Sequence, residues 1–297
     1  MHINFYIKKK MKNKFILSVF AVIFSAIFLF GISFNSQKTS VSQESENYIK
    51  LPVIMYHMVL KNPKNNKFII SEKDFEDDLK YINANGYTTI TVNDLIEYTE
   101  NKKELPKKPI LLTFDDGAYN NYLYAFPLAK KYNAKFVFSP IAREADRYSE
   151  VKDESPEYAH ANWEKITEMS KSGNVEIQNH TYNMHSAKKP RIGCTKKDGE
   201  SQEIYKKKLS KDLEKAQNLI YEKTGIKPTA FFYPFGACSK CSEDVIKSLG
   251  FKSTFMCESR VNKITKDPNC LFGLGRFLRP PSVPAAKFFS KWEKSNN

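Results

Sequence analysis

Histidine is scarce in this chain, with five in 297 residues, and none follows His185. Cysteine is as sparse: five (Cys194, Cys238, Cys241, Cys257 and Cys270), an odd number that cannot all pair within one chain. Cys238 and Cys241 make a single C-x-x-C, with no second one and no neighbouring histidine. That argues against a structural zinc cage and leaves a disulfide or a redox pair, with no catalytic role assigned. No internal repeat is present, so a solenoid or propeller is excluded. Acidic residues fall short of basic ones, 33 against 47, for a formal net charge of +14. The lysines are scattered rather than striped, which reads as default solubilisation and disfavours a nucleic-acid partner. Outside a cell, the same surplus would favour an anionic wall or membrane surface.

What is present begins at the N-terminus. Residues 1–14 form a basic segment carrying Lys8, Lys9, Lys10, Lys12 and Lys14, and an uncharged run follows from Phe15 to Phe34. As a helix the run reaches about 30 Å, the thickness of a bilayer's hydrocarbon core. It ends in GISFNSQ, without the Ala-x-Ala pattern of a cleavage site and without a lipid-accepting cysteine. A retained single-pass anchor over 15–34 is expected, with residues 1–14 cytoplasmic and the rest extracellular. Secretion after signal cleavage is the alternative. Residues 35–50 are polar and aperiodic and read as a tether.

From residue 51 to 297 one domain is expected, in which short apolar runs alternate with amphipathic stretches. The strand candidates are VIMY (53–56), YTTITV (87–92), PILLTF (109–114), KFVFSP (135–140), NVEIQN (174–179) and AFFYP (230–234). Between them, Ser71 caps a helix with Phe75, Leu79 and Ile82 on one face. Asn93 is expected to cap a short helix, and the residues after Gly117 resume helically to about Tyr132. Further helices run from Asn162 to Ser172, from Ser201 to Lys223 and from Ser242 to Leu249. Segments 141–160 and 186–200 lack apolar period and read as surface insertions. The alternation argues for an α/β barrel or an open parallel sheet.

Asp115 and Asp116 sit side by side at the end of the most apolar strand candidate. Adjacent buried carboxylates are costly unless a cation or a shared proton stabilises them. The plain alternative is an Asp-Asp-Gly turn capping a helix. Two of the five histidines, His180 and His185, lie just past another strand candidate. Their spacing puts them about 140° apart on a helix and on opposite faces of a strand, so they converge only from a loop. Two imidazoles and a carboxylate leave positions open on a divalent ion, as catalytic sites do, and such an ion acidifies water toward a pKa of about 7.

LLTFDDG, NHTYNMH and FFYPFG, in that order, resemble the polysaccharide deacetylase family (carbohydrate esterase family 4, the NodB homology domain) over roughly residues 50–280. LPVIMYH ahead of TFDDG is similar to the subgroup that includes poly-N-acetylglucosamine deacetylases. The resemblance implies an α/β fold, an irregular (β/α)7 barrel of the NodB type, here preceded by the transmembrane helix. It implies Asp115 as general base, Asp116, His180 and His185 as metal ligands, and Phe235 as a backbone N–H donor to an oxyanion. The implied ion is Zn2+, with Co2+ or Ni2+ as alternatives. The implied reaction removes N-acetyl groups from an N-acetylglucosamine-containing surface polysaccharide: peptidoglycan, poly-N-acetylglucosamine or a chitin-like polymer.

The family's late Leu-His motif is missing, which makes His57 the candidate general acid. FFY precedes Pro234 where the family commonly carries an arginine, so Arg276 or Arg279 is the candidate counter-charge to Asp115. Tyr182 and Tyr233 are expected to line the substrate cleft. The alternative function is a catalytically impaired, metal-containing carbohydrate-binding protein on the same barrel. A glycosidase is disfavoured, because adjacent carboxylates cannot flank a glycosidic bond at the roughly 5–9 Å its chemistry requires.

Overall fold

The computed structural model describes residues 48–293. The basic segment 1–14, the expected membrane span 15–34 and nearly all of the tether 35–50 lie outside these residues. Among the described residues no helix is long and apolar enough to cross a membrane. The last residues assigned to the tether belong to the fold instead, as β1 (Ile49–Leu51), because Leu51 buries completely.

Along the chain follow β2 (Val53–Tyr56), β3 (Met58–Leu60), β4 (Ile69–Ser71) and helix α1 (Glu72–Ala84). Ser71 caps α1 in a capping box with Asp74, and Phe75, Leu79 and Ile82 bury as the apolar spacing requires. The strand expected over 87–92 shortens to β5 (Thr88–Ile90). Thr91, not Asn93, caps the next helix, α2 (Val92–Thr99), since its hydroxyl reaches Asp94 and Asp94 reaches back to it.

The parallel core comprises β2, β6 (Pro109–Asp116), β7 (Phe136–Pro140), β8 (Val175–Ile177), β9 (Ala230–Phe232), β10 (Ser253–Phe255) and β12 (Phe277–Leu278), while β11 (Asn262–Ile264) pairs antiparallel with β1. A continuous sheet runs β12-β2-β6-β7-β8, with β5 on the first residues of β6. Two single bridges complete the circuit: Asn179 with Phe231 joins β8 to β9, and Phe255 with Leu274 joins β10 to the approach to β12. The result is an irregular seven-stranded barrel. Its core is aromatic, with Tyr56 stacked on Phe114 at 4.9 Å and Phe75 edge-on to Phe114 at 5.4 Å.

Around it pack α3 (Phe126–Lys131), entered through a π turn, then α4 (Ala142–Val151), α5 (Trp163–Lys171), α6 (Gln202–Thr224), α7 (Ser242–Ser248) and α8 (Ala285–Glu293). Helix α4 corrects the reading of 141–160 as a surface insertion without apolar period. Its buried stripe is Ala142, Ala145 and Tyr148, and two alanines beside a single ring carry too little apolar signal to register as a period. Segment 186–200 does lack helix and strand, yet its Cys194 is fully buried.

Candidate active site

The chemistry-bearing residues collect at the carboxyl ends of the barrel strands, where parallel α/β folds place their sites. At the end of β6 the backbone turns sharply, with φ of 69° at Asp116 and 85° at Gly117. A Cβ on Gly117 would stand 2.8 Å from Pro140 Cβ, so only glycine fits between β6 and β7. The turn brings Asp116 Oδ1 to 3.3 Å from His180 Nε2 and 3.0 Å from His185 Nε2.

The two histidines meet because their segment is a pinned loop. Asn179 Oδ1 accepts the Thr181 N–H at 2.8 Å, and Thr181 itself sits at φ 76°, a strained value for a β-branched residue. The Asp212 carboxylate on α6 accepts the N–H groups of Tyr182 and Asn183, both at 2.9 Å. The imidazole centroids end 4.9 Å apart. Asp116, His180 and His185 each offer a ligand atom, all within 4.8 Å of one another.

The donor chemistry fits a cation. His180 Nδ1 lies 2.8 Å from the Phe232 carbonyl oxygen, which can only accept, so Nδ1 carries the proton. The Nε2 lone pair then faces a carboxylate oxygen, a repulsive arrangement unless a cation lies between them or the ring takes a second proton. A second partner that fixes the tautomer in this way is the usual support of a metal-binding histidine.

Asp115 is 2% exposed and is held by Arg276 through two parallel bonds, Nη1 to Oδ1 and Nη2 to Oδ2, each 2.7 Å. Ser139 Oγ adds a third donor at 3.0 Å. Burial pushes the Asp115 carboxyl up, but the Arg276 charge and then His180 bring it down to about 2, so it is ionised. Of the two candidate counter-charges, Arg276 is the one at Asp115. Arg279 instead holds the buried Asp78, with Nε at 2.7 Å and Nη2 at 2.8 Å.

His57 lies immediately after β2, its carbonyl accepting from Asn121 Nδ2 at 2.7 Å and its ring 4.8 Å from Phe68. Its Nδ1 is buried without a hydrogen-bond partner. Burial lowers its pKa, against smaller opposite effects of Asp115 and Asp116. Phe235 occupies the left-handed region at φ 60°, with its ring 4.7 Å from His185. These residues line one cleft of about 490 Å³, together with Phe68 and Cys257.

Tyr182 and Tyr233 do not line it, contrary to expectation. Tyr233 is 3% exposed, its hydroxyl 3.0 Å from Ser242 Oγ within a core cluster, because the strand direction turns it inward. Tyr182 faces α6, with Lys215 Nζ 3.6 Å from its ring centroid. Phe68, in the loop before β4, and Cys257, after β10, take up cleft positions that no sequence motif marked. Among the described residues all five cysteines are free thiols, so no disulfide joins Cys238 to Cys241.

A parallel barrel whose strand ends gather two imidazoles, a carboxylate and an ion-paired aspartate in one cleft carries its candidate site where parallel α/β enzymes build theirs. A family model described as polysaccharide deacetylase matches residues 102–254. This chain belongs to the polysaccharide deacetylase family. It is 23% identical, over 225 residues, to the poly-beta-1,6-N-acetyl-D-glucosamine N-deacetylase of Escherichia coli O157:H7, an alignment covering 69% of this chain and 34% of that protein. The protein of the same name from Staphylococcus aureus (strain MRSA252) is 25% identical over 221 residues, 69% of this chain and 71% of the relative. Among solved structures, IcaB from Ammonifex degensii is 28% identical with a TM-score of 0.65, covering 78% of this chain and 92% of that one. The matched region thus spans about a third of the Escherichia coli relative.

Proposed function

We propose that this protein is a metal-dependent polysaccharide N-deacetylase, which removes N-acetyl groups from N-acetylglucosamine units of a surface glycan. The observation that carries the proposal is the meeting, in one cleft, of the Asp116–His180–His185 cluster with the Arg276-held Asp115. The relatives' names favour a β-1,6-linked polymer as the first substrate to test. Residues 15–34 would anchor the enzyme in the membrane, with the barrel outside.

Asp116, His180 and His185 would hold a divalent ion, with Zn2+ the first candidate and Co2+ or Ni2+ next. When bound, that ion supplies Lewis acidity toward the acetamide oxygen and an acidified water. Asp115, kept ionised by Arg276, would accept the proton released as water attacks the acetamide carbon. The Phe235 backbone N–H would stabilise the negative oxygen of the tetrahedral intermediate, its strained conformation fixing where that N–H points. The proton taken up by Asp115 would have to reach the departing amine, and His57 is the cleft group that would relay it. Phe68 and Phe235, exposed at 39% and 46%, offer ring faces at the cleft for a sugar.

The deciding experiment measures metal content and acetate release from β-1,6-linked N-acetylglucosamine oligomers. Asp115→Asn should retain the metal and lose turnover by at least about a hundredfold, the usual size of a general-base effect. His180→Ala should lose both. Normal turnover by the Asn variant would overturn the base assignment, and binding of glycan without metal-dependent acetate release would favour an idle binding protein. Removal of residues 1–34 should shift the protein from the membrane fraction to the soluble one.

A further inference from the structure

The scattered lysines become organised in three dimensions. Beside the histidine loop, between it and α6, lies a second concavity of about 430 Å³. Lys208, Lys211 and Lys215 fall on one face of α6, at helical spacings of three, four and seven. Arg191 and Lys197, from the segment 186–200, complete the basic lining, and the Tyr182 ring carries Lys215 on its face.

Five cations therefore face one carboxylate, and that carboxylate is committed: Asp212 accepts the backbone N–H groups of Tyr182 and Asn183. Glu200, close by, takes Arg191 at 2.8 Å and Lys208 at 3.0 Å, which offsets part of the charge. Lys211 makes no ion pair among the described residues. A solvated helix face would intersperse both signs along its surface. Here like charges converge on a concave surface, where field lines concentrate, and Glu200 and Asp212 offset only part of the mutual repulsion, which a bound anion would relieve further. The groove also shares Tyr182, Asn183 and Met184 with the loop that carries His180 and His185, so a polymer held there runs next to the cleft.

We propose that this groove binds the anionic groups, phosphodiester or carboxylate, of a surface polymer. The site is distinct from the acetamide-hydrolysing cleft, and its occupancy does not require turnover. It gives the chain's positive charge a local purpose: holding the enzyme on a polyanionic matrix.

The test reads binding alone, so its failure is separable from failure of the deacetylase reading. Fluorescence anisotropy would be measured with a labelled glycerol-phosphate oligomer, an oligogalacturonate and a neutral N-acetylglucosamine oligomer, at low and at physiological salt. Wild-type protein should bind at least one anionic probe, with a Kd that rises with ionic strength. The triple variant Lys208→Gln, Lys211→Gln, Lys215→Gln should weaken that binding about tenfold or more, a loss of roughly 1.4 kcal/mol or greater. Three exposed lysines outside the groove, Lys102, Lys107 and Lys287, changed together to Gln, serve as the net-charge control and should leave Kd within about twofold. Thermal melts verify the fold of each variant, and Lys211→Gln alone, with no ion pair to lose, gives a smaller loss in the same direction if the triple variant does not fold. Retention of only one anionic probe assigns the ligand class, and retention of both assigns charge as the recognised feature. Unchanged binding in the triple variant, or an equal loss in the control, overturns the proposal.

Discussion

Two buried aspartates, each clasped by an arginine from the end of the chain, organise the molecule at the scale of single residues. Asp78 and Arg279 are 0% and 1% exposed, and Tyr56 donates its hydroxyl to the same carboxylate at 3.0 Å. Burial is the larger effect on Asp78 and holds its carboxyl up at about 6, against the pull of Arg279 and Tyr56. A folded-state pKa above the unfolded value of 3.8 means a contribution to stability that is complete below about pH 4 and lost as pH rises through 6. Urea midpoints measured from pH 4 to pH 7 should therefore fall further for wild type than for Asp78→Asn. Arg276→Gln should be harsher, costing about 3–5 kcal/mol by stranding the Asp115 charge, with turnover lost as well. The need for a cation at Asp115 was legible in the sequence. Its identity was not, because Arg276 and Arg279 stand three residues apart in GRFLRP, and only the pairing of β12 with β2 decides which guanidinium reaches which acid.

At the scale of elements, the histidine loop shows how a short segment is made rigid without helix or strand. Asp212 clamps it from α6 and Asn179 from its own base. Asp212→Ala should loosen the loop and weaken the proposed metal binding by about tenfold to a hundredfold, as loss of an outer support does, while leaving Asp116, His180 and His185 in place. A metal titration of the variant checks this. Motifs at strand ends were readable because a strand's apolar run stops abruptly where its polar residues begin: Asp115, Asp116, His57 and His180 all follow such stops, whereas Phe235 was marked only by the family resemblance. The tyrosines were misplaced for the complementary reason. Aromatic rings suit core and cleft equally, so Tyr233 is settled by which face of β9 it continues and Tyr182 by the approach of α6. Helix α4 escaped notice because alanine buries without an obvious hydrophobic signature.

For the whole molecule, the barrel is unevenly sewn. Four residue pairs join β6 to β7 and four join β2 to β6, whereas single bridges join β8 to β9 and β10 to the lead into β12. Local opening should begin at the weakly paired seams. Hydrogen exchange should show the amides of Asn179, Phe232, Met256 and Leu274 losing protection before those in the centre of β6. The alternation of strand and helix predicted an α/β barrel or an open parallel sheet, and only the family resemblance pointed to the barrel. The seams were invisible, because one isolated bridge leaves no run of residues long enough to carry a pattern.

The placement of the arginines around β12 also has a consequence during synthesis. Asp115 is separated from Arg276 by 161 positions and Asp78 from Arg279 by 201, so a ribosome delivers both acids long before either base. Until the last strand emerges neither carboxylate has its guanidinium, and enclosing either charge unpaired is costly. Any product cut short of position 276 would lack the means to shut its own cylinder, and would reach quality-control proteases as an unfinished chain.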